Sequence, residues 1–219
     1  MTLGVLGGTF DPIHNGHIAA GRQAQAALQL DGVTLVPSRV PPHRTAGLGA
    51  SPDARLAMAQ LAAAEQPGWT ASDIELKREG PSYTFDTLTE LGATSTWKFF
   101  FIIGADAFAE IATWSRYPAV LDLAHFAVVA RPGITLDSLQ KRLPDLAQRM
   151  TTLDSFKPQA SSPKPGDKTR IILIETSTPD VSSTEIRRRV RAGDSIHGMV
   201  PESVAAYIST HRLYVEAGR

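Results

Sequence analysis

A chain of 219 residues is long enough for one domain with a substantial core. Its 22 basic and 22 acidic residues balance, so no global field favours nucleic acid or an anionic membrane. The lack of cysteine excludes disulfides and thiol catalysis and suits a reducing cytoplasm. Neither a signal peptide nor a membrane span is expected, since the N-terminus lacks a basic-then-apolar leader pattern and the most apolar run, residues 99–103, is too short.

Residues 3–6 read as a short apolar strand and 18–30 as a helix. Between them stands Gly7-Gly8-Thr9-Phe10-Asp11-Pro12-Ile13-His14-Asn15-Gly16-His17. Residues 32–37 form a second buried strand, followed by Ser38-Arg39-Val40-Pro41-Pro42-His43-Arg44 and a Gly-rich loop. Ser51 caps a helix that starts at Pro52 and runs to about residue 65. Residues 71–76 suggest a third strand, and Ser82-Tyr83-Thr84 opens the next helix with Ser82 as its cap. The strongest strand is 97–103, rich in aromatic and β-branched residues, and it leads into Gly104-Ala105-Asp106. Trp114, a short helix to about residue 122, the strand 125–130 and Arg131-Pro132-Gly133 follow. Helical spacing covers 136–150, residues 151–169 read as a mobile loop, and 170–174 form the last strand. A basic helix capped by Ser182 or Ser183 runs to about residue 191, and an amphipathic helix covers 201–211. Strand and helix patterns alternate, predicting an α/β fold: a Rossmann-like open, mainly parallel sheet with helices on both faces. Residues 1–219 are expected to form a single domain with a small C-terminal helical region from about 182.

In such sheets ligands bind outside the carboxyl ends of the strands, where the loops of interest lie. Gly7 and Gly8 permit close approach of the main chain to a ligand. His14 and His17, three apart at a helix start, can meet one bound anion beside the helix dipole. The stretch matches neither G-x-G-x-x-G nor the P-loop. A plain turn is the bland alternative; zinc ligation would need a third ligand that no recognised spacing supplies. Ser182-Ser183-Thr184-Glu185-Ile186-Arg187 is a second anion-binding helix start, with Arg187, Arg188, Arg189 and Arg191 as a local basic cluster. Its bland alternative is a well-capped helix with a solvated basic face.

The string T-F-D-P-I-H-x-G-H resembles the signature of the nucleotidyltransferase α/β-phosphodiesterase superfamily, and S-S-T-x-I-R is similar to its second motif, which holds the β- and γ-phosphates of ATP. Within that superfamily, Pro41-Pro42-His43-Arg44 resembles the P-P-H-K loop of the nicotinate mononucleotide adenylyltransferases, with Arg44 in place of lysine. Ser82-Tyr83-Thr84, Gly104-Ala105-Asp106, Trp114 and Arg131-Pro132-Gly133 match further elements of that family. The resemblance implies transfer of AMP from ATP to nicotinate mononucleotide, with Mg²⁺ accompanying ATP. It makes His14 and His17 the catalytic residues. It assigns ATP binding to Gly7, Gly8, Thr9, Phe10, His17, Gly104, Asp106, Ser183, Thr184 and Arg187. Nicotinate mononucleotide falls to Thr9, Phe10, His43, Arg44, Tyr83, Thr84, Trp114 and Arg131. Phosphopantetheine adenylyltransferases and cytidylyltransferases are the nearest rivals in the superfamily; a nucleotide sensor and a metal-dependent phosphohydrolase are rivals of other classes. The expected partners are small molecules, without nucleic acid or membrane, and a homo-oligomer is left open.

Overall fold

The structure, a computed structural model, describes residues 1–42, 49–130, 134–156, 169–176 and 178–215. In chain order the elements are β1 (Thr2–Gly8), α1 (Asn15–Leu28), β2 (Gly32–Pro37), α2 (Pro52–Ala64), β3 (Trp69–Ala71), α3 (Ile74–Lys77), α4 (Thr84–Thr94), β4 (Lys98–Gly104), α5 (Ala105–Phe108), β5 (His125–Ala130), α6 (Leu136–Arg142), β6 (Met150–Thr152), β7 (Ile171–Glu175), α7 (Ser183–Ala192) and α8 (Glu202–Thr210). The strands form one open sheet in the order β3-β2-β1-β4-β5-β7-β6, the α/β architecture that the alternating patterns predict. The order reverses at β1, which creates the switch point where open α/β sheets bind ligands.

The chain divides into two compact units. The first comprises Met1–Gly7, Ala20–Val33 and Tyr83–Thr178. Within it β1 pairs with β4, β4 with β5, β5 with β7 and β6 with β7, all parallel, and Leu6 stands opposite Ile102. β5 is buried along its whole length, as expected for a strand covered on both faces. Its Phe126, Val128 and Val129 join Phe100, Phe101 and Phe108 in the core, each full burial contributing about 1.5–3 kcal/mol.

The second unit comprises Gly8–Ala19, Thr34–Ser82 and Pro179–Arg219. α2 begins as expected: Ser51 Oγ accepts the Ala54 N–H at 3.2 Å and proline occupies the first turn. The buried face of α2 carries Ala54, Arg55, Met58, Ala59, Ala62 and Ala63 at helical spacing.

Several expected elements move. The third strand is Trp69–Ala71, and the stretch expected as strand contains α3, because Ser72 Oγ takes the Ile74 N–H and the Asp73 carbonyl takes the next two free N–H groups, those of Leu76 and Lys77. The cap position of α4 is Tyr83, not Ser82, whose hydroxyl instead accepts the Arg39 N–H at 2.8 Å. The helix expected over 136–150 stops at Arg142, since Pro144 cannot continue an α-helical ladder, and a 3₁₀ turn, Pro144–Arg149, follows. Thr151 and Thr152, expected in a mobile loop, belong to β6. Trp114 stands between two 3₁₀ turns, Ile111–Thr113 and Ala119–Asp122.

Candidate active site

In the second unit, the turn between β1 and α1 forms around its aromatic residues. Phe10 has a left-handed φ of 49°, and its ring lies against Gly8: a Cβ there would stand 2.8 Å from Phe10 Cε1. Gly8 therefore leaves room for the Phe10 ring. The Phe10 and His17 rings meet edge to face, at 5.1 Å between centroids and 90°. His17 and His14 stack at 3.7 Å and 28°. Gly16 makes room for this pair, since a Cβ on it would stand 3.0 Å from His14 Nδ1.

The two imidazoles differ in their commitments. The His14 backbone N–H donates to His17 Nδ1 at 3.2 Å, so a neutral His17 carries its proton on Nε2. His14 is 8% exposed, and its Nδ1 is buried with no hydrogen-bond partner among the described residues. Burial lowers His14 from the ordinary 6.5 to about 4. Burial, and secondarily the neighbouring His14, holds His17 well below its ordinary value. Burial of both rings and the repulsion between two charges at stacking distance favour the uncharged forms.

Asp11 ties this turn to the second motif. Its carboxylate is 1% exposed; Oδ2 accepts the Gly49 N–H at 2.9 Å and Oδ1 the Ala50 N–H at 3.0 Å. Arg187 donates to the Asp11 carbonyl at 2.6 Å and stands 3.6 Å from Asp11 Oδ2. Its other terminal nitrogen donates to Thr184 Oγ1 at 3.3 Å. Ser182, not Ser183, caps α7 by accepting the Glu185 N–H, and the Ser183 hydroxyl donates to the Pro12 carbonyl at 2.9 Å. With its hydroxyl proton given to Pro12, Ser183 has its backbone N–H left at the first turn of the ten-residue helix, while Thr184, whose oxygen accepts from Arg187, keeps both its N–H and its O–H as donors. The rest of the basic cluster is partly neutralised within the helix: Glu185 pairs with Arg188 and Arg189, whose hydrogen bonds bring its carboxyl down to about 2. In this unit the structure brings together Thr9, Phe10, His14, His17, Ser183, Thr184 and Arg187.

Sequence reasoning assigned no role to Asp11 or Arg55. Arg55 is fully buried and donates from one terminal nitrogen to the Thr9 carbonyl at 2.7 Å and the Ser38 carbonyl at 2.6 Å, holding the ends of β1 and β2. The spacing Arg55, Met58/Ala59, Ala62/Ala63 was the available signal, since it puts the arginine on the apolar face of α2.

The first unit holds the other candidates. Gly7 is the penultimate residue of β1, and a Cβ on it would make only ordinary contact, 3.5 Å from the Phe101 ring. That ring meets Trp114 edge-on at 6.0 Å and 85°; Trp114 is half-buried, with indole surface still open. Gly104 and Asp106 are exposed at the start of α5, and Tyr83 and Thr84 are half-buried at the start of α4. His43, Arg44 and Arg131 lie outside the described residues.

Residues 5–189 match the cytidylyltransferase-like family. A protein of Roseiflexus sp. (strain RS-1) named "Probable nicotinate-nucleotide adenylyltransferase" is 41% identical over 212 residues, covering 97% of both chains. A protein of the same name from Citrifermentans bemidjiense is 40% identical over 99% of this chain and 100% of its own. The fold is similar to that of Plasmodium falciparum nicotinic acid mononucleotide adenylyltransferase, solved in complex with NaAD, with a TM-score of 0.72, 18% identity and 97% of each chain covered.

Proposed function

The chain belongs to the cytidylyltransferase-like family, and from that premise we propose that it catalyses ATP + nicotinate mononucleotide → deamido-NAD + pyrophosphate, a step of NAD synthesis. The observation that carries the reading is the stacked, neutral His14–His17 pair at the first strand-to-helix turn, with His17 Nδ1 already engaged by the His14 N–H.

An oxygen of the acceptor phosphate attacks the α-phosphorus in line; one P–O bond forms as the bridge to the β-phosphate breaks, and pyrophosphate leaves. Such a transfer needs positioning and stabilisation of spreading charge more than a protein nucleophile. His17 Nε2–H is the donor we assign to the α-phosphate oxygens in the transition state, with His14 beside it. A neutral imidazole donates without having to lose a proton and keeps that form across the neutral range. Backbone N–H groups of Gly8, Thr9 and Phe10 contribute to phosphate binding, and Ser183, Thr184 and Arg187 hold the β- and γ-phosphates. Gly104 and Asp106 are assigned to the adenosine side. Nicotinate mononucleotide falls to Tyr83, Thr84 and Trp114, with His43, Arg44 and Arg131, and an offset stack on Trp114 adds about 0.5–1.5 kcal/mol beyond area burial.

ATP enters with Mg²⁺ held by substrate oxygens and water. Among the described residues no group of three His, Asp or Glu side chains is placed to cage a metal, so the chain's own part is to cradle the phosphates. None of the described helices is long and apolar enough to cross a membrane. A cysteine-free chain working on ATP fits the cytoplasm, and we take residues 1–219 as one nucleotidyltransferase domain.

Pyrophosphate release from ATP and Mg²⁺ tests the proposal, with nicotinate mononucleotide, nicotinamide mononucleotide and phosphopantetheine as parallel acceptors. Release with the acid nucleotide, and little with the other two, is the expected result. Release with phosphopantetheine alone, or with none of the three from folded protein that binds ATP, overturns it.

A further inference from the structure

Beyond α8 the chain turns back on itself. The Arg212 N–H donates to the Ser209 carbonyl at 3.2 Å and the Leu213 N–H to the Ile208 carbonyl at 3.0 Å. Arg212 and Tyr214 both have left-handed φ, 50° and 65°, uncommon for bulky residues. This backbone buries Tyr214 to 6% exposure, although it lies beyond residue 189, where the family match ends.

The Tyr214 ring lies against Gly49 and the stem of Arg187. A Cβ on Gly49 would stand 2.8 Å from Tyr214 Cδ1 and Cε1 and 3.0 Å from Arg187 Cδ. The Gly49 N–H binds the same Asp11 carboxylate that pairs with Arg187. The phenol oxygen is buried beside the Asp11 carboxylate. Burial and the negative charge of Asp11 raise its pKa and keep it protonated.

We infer that Tyr214 is a positioning residue for the transfer reaction: its ring confines the Arg187 stem beside Gly49 and so keeps the guanidinium directed at the ATP phosphates. A long side chain loses much rotamer freedom on binding an anion, and confinement by a neighbouring ring meets that loss in advance. The inference rests on the reading that Arg187 meets those phosphates.

Steady-state kinetics on the full chain test it, with Tyr214→Ala, Tyr214→Phe, Gly49→Ala, Arg187→Ala and the Tyr214→Ala/Arg187→Ala double variant. Tyr214→Ala should raise the KM for MgATP by about 5-fold or more, with kcat and the KM for nicotinate mononucleotide within about 2-fold. Tyr214→Phe restores the ring and should bring the KM for MgATP back toward that of the parent. Gly49→Ala pushes a methyl between ring and stem and should raise the same KM, which keeps the test open if Tyr214→Ala does not fold. In the Arg187→Ala background Tyr214→Ala should add no further rise. A folded Tyr214→Ala with a lower Tm and an unchanged KM for MgATP assigns the ring to stability alone and overturns the inference. So does an additive rise in the double variant. An unchanged KM for MgATP in Arg187→Ala itself refutes the phosphate reading and the Tyr214 role with it. Failure confined to the tyrosine leaves that KM raised.

Discussion

Replacing His125 with phenylalanine isolates the stability that depends on one buried neutral imidazole. His125 opens β5 and is 6% exposed. Its ring stacks on Phe100 at 5.0 Å between centroids and meets Phe156 at 5.7 Å. Its Nδ1 accepts the Arg170 N–H at 2.9 Å. Burial, and then the positive charges of Lys98, Arg170 and Arg149, lowers it from the ordinary 6.5 to about 4. Between pH 6.5 and 4 the unfolded chain therefore binds a proton that the folded chain does not, so stability falls as pH falls through that window. At pH 4.5 the loss from this group is about 2.5 kcal/mol, at about 1.4 kcal/mol per unit of pKa difference. Phenylalanine keeps the stack but leaves the Arg170 N–H unpaired, which costs about 1–3 kcal/mol at every pH. The variant should therefore be less stable by that amount at pH 7.5 and equal or superior to the parent at pH 4.5. His14 and His17 titrate in both proteins and cancel in the difference. Urea unfolding followed by tryptophan fluorescence at steps between pH 7.5 and 4.5 measures it. A gap between the two proteins that stays constant with pH would refute the argument.

Three further substitutions have definite expected outcomes. His17→Ala should lower kcat by about 10²–10³-fold, the scale of losing one transition-state donor, with an unchanged far-UV circular dichroism spectrum; parental turnover removes His17 from the mechanism. Trp114→Ala should raise the KM for the pyridine nucleotide roughly 3- to 10-fold, as loss of an aromatic stack predicts, and a change confined to the KM for ATP assigns the ring elsewhere. Arg55→Met should lower unfolding free energy by about 3 kcal/mol, because the Thr9, Ser38 and Arg39 carbonyls lose a charged donor while the relief of guanidinium desolvation offsets part of the loss. A change below about 0.5 kcal/mol in urea unfolding contradicts that account.

Local chemistry by itself determined much of this protein. Continuous apolar runs placed β2 and β5 to the residue, and Ser51-Pro52 placed the start of α2. These features depend on neighbours in the chain, so sequence suffices. Pro144 and the Ser72-Asp73 break are also local signals, but they stand inside helical spacing and an apolar run that point the other way. Other features were decided only by residues distant in the chain. Ser82 forgoes its capping role for the Arg39 N–H, and Ser183 commits its hydroxyl to Pro12. Asp11 and Tyr214 carry no local signal strong enough to separate them from turn and tail residues, and Arg55 is marked only by its place in the apolar spacing of α2. Their roles arise because folding removes them from water, and a buried charge or hydroxyl must find its partners, or go without, among whatever the tertiary structure places beside it.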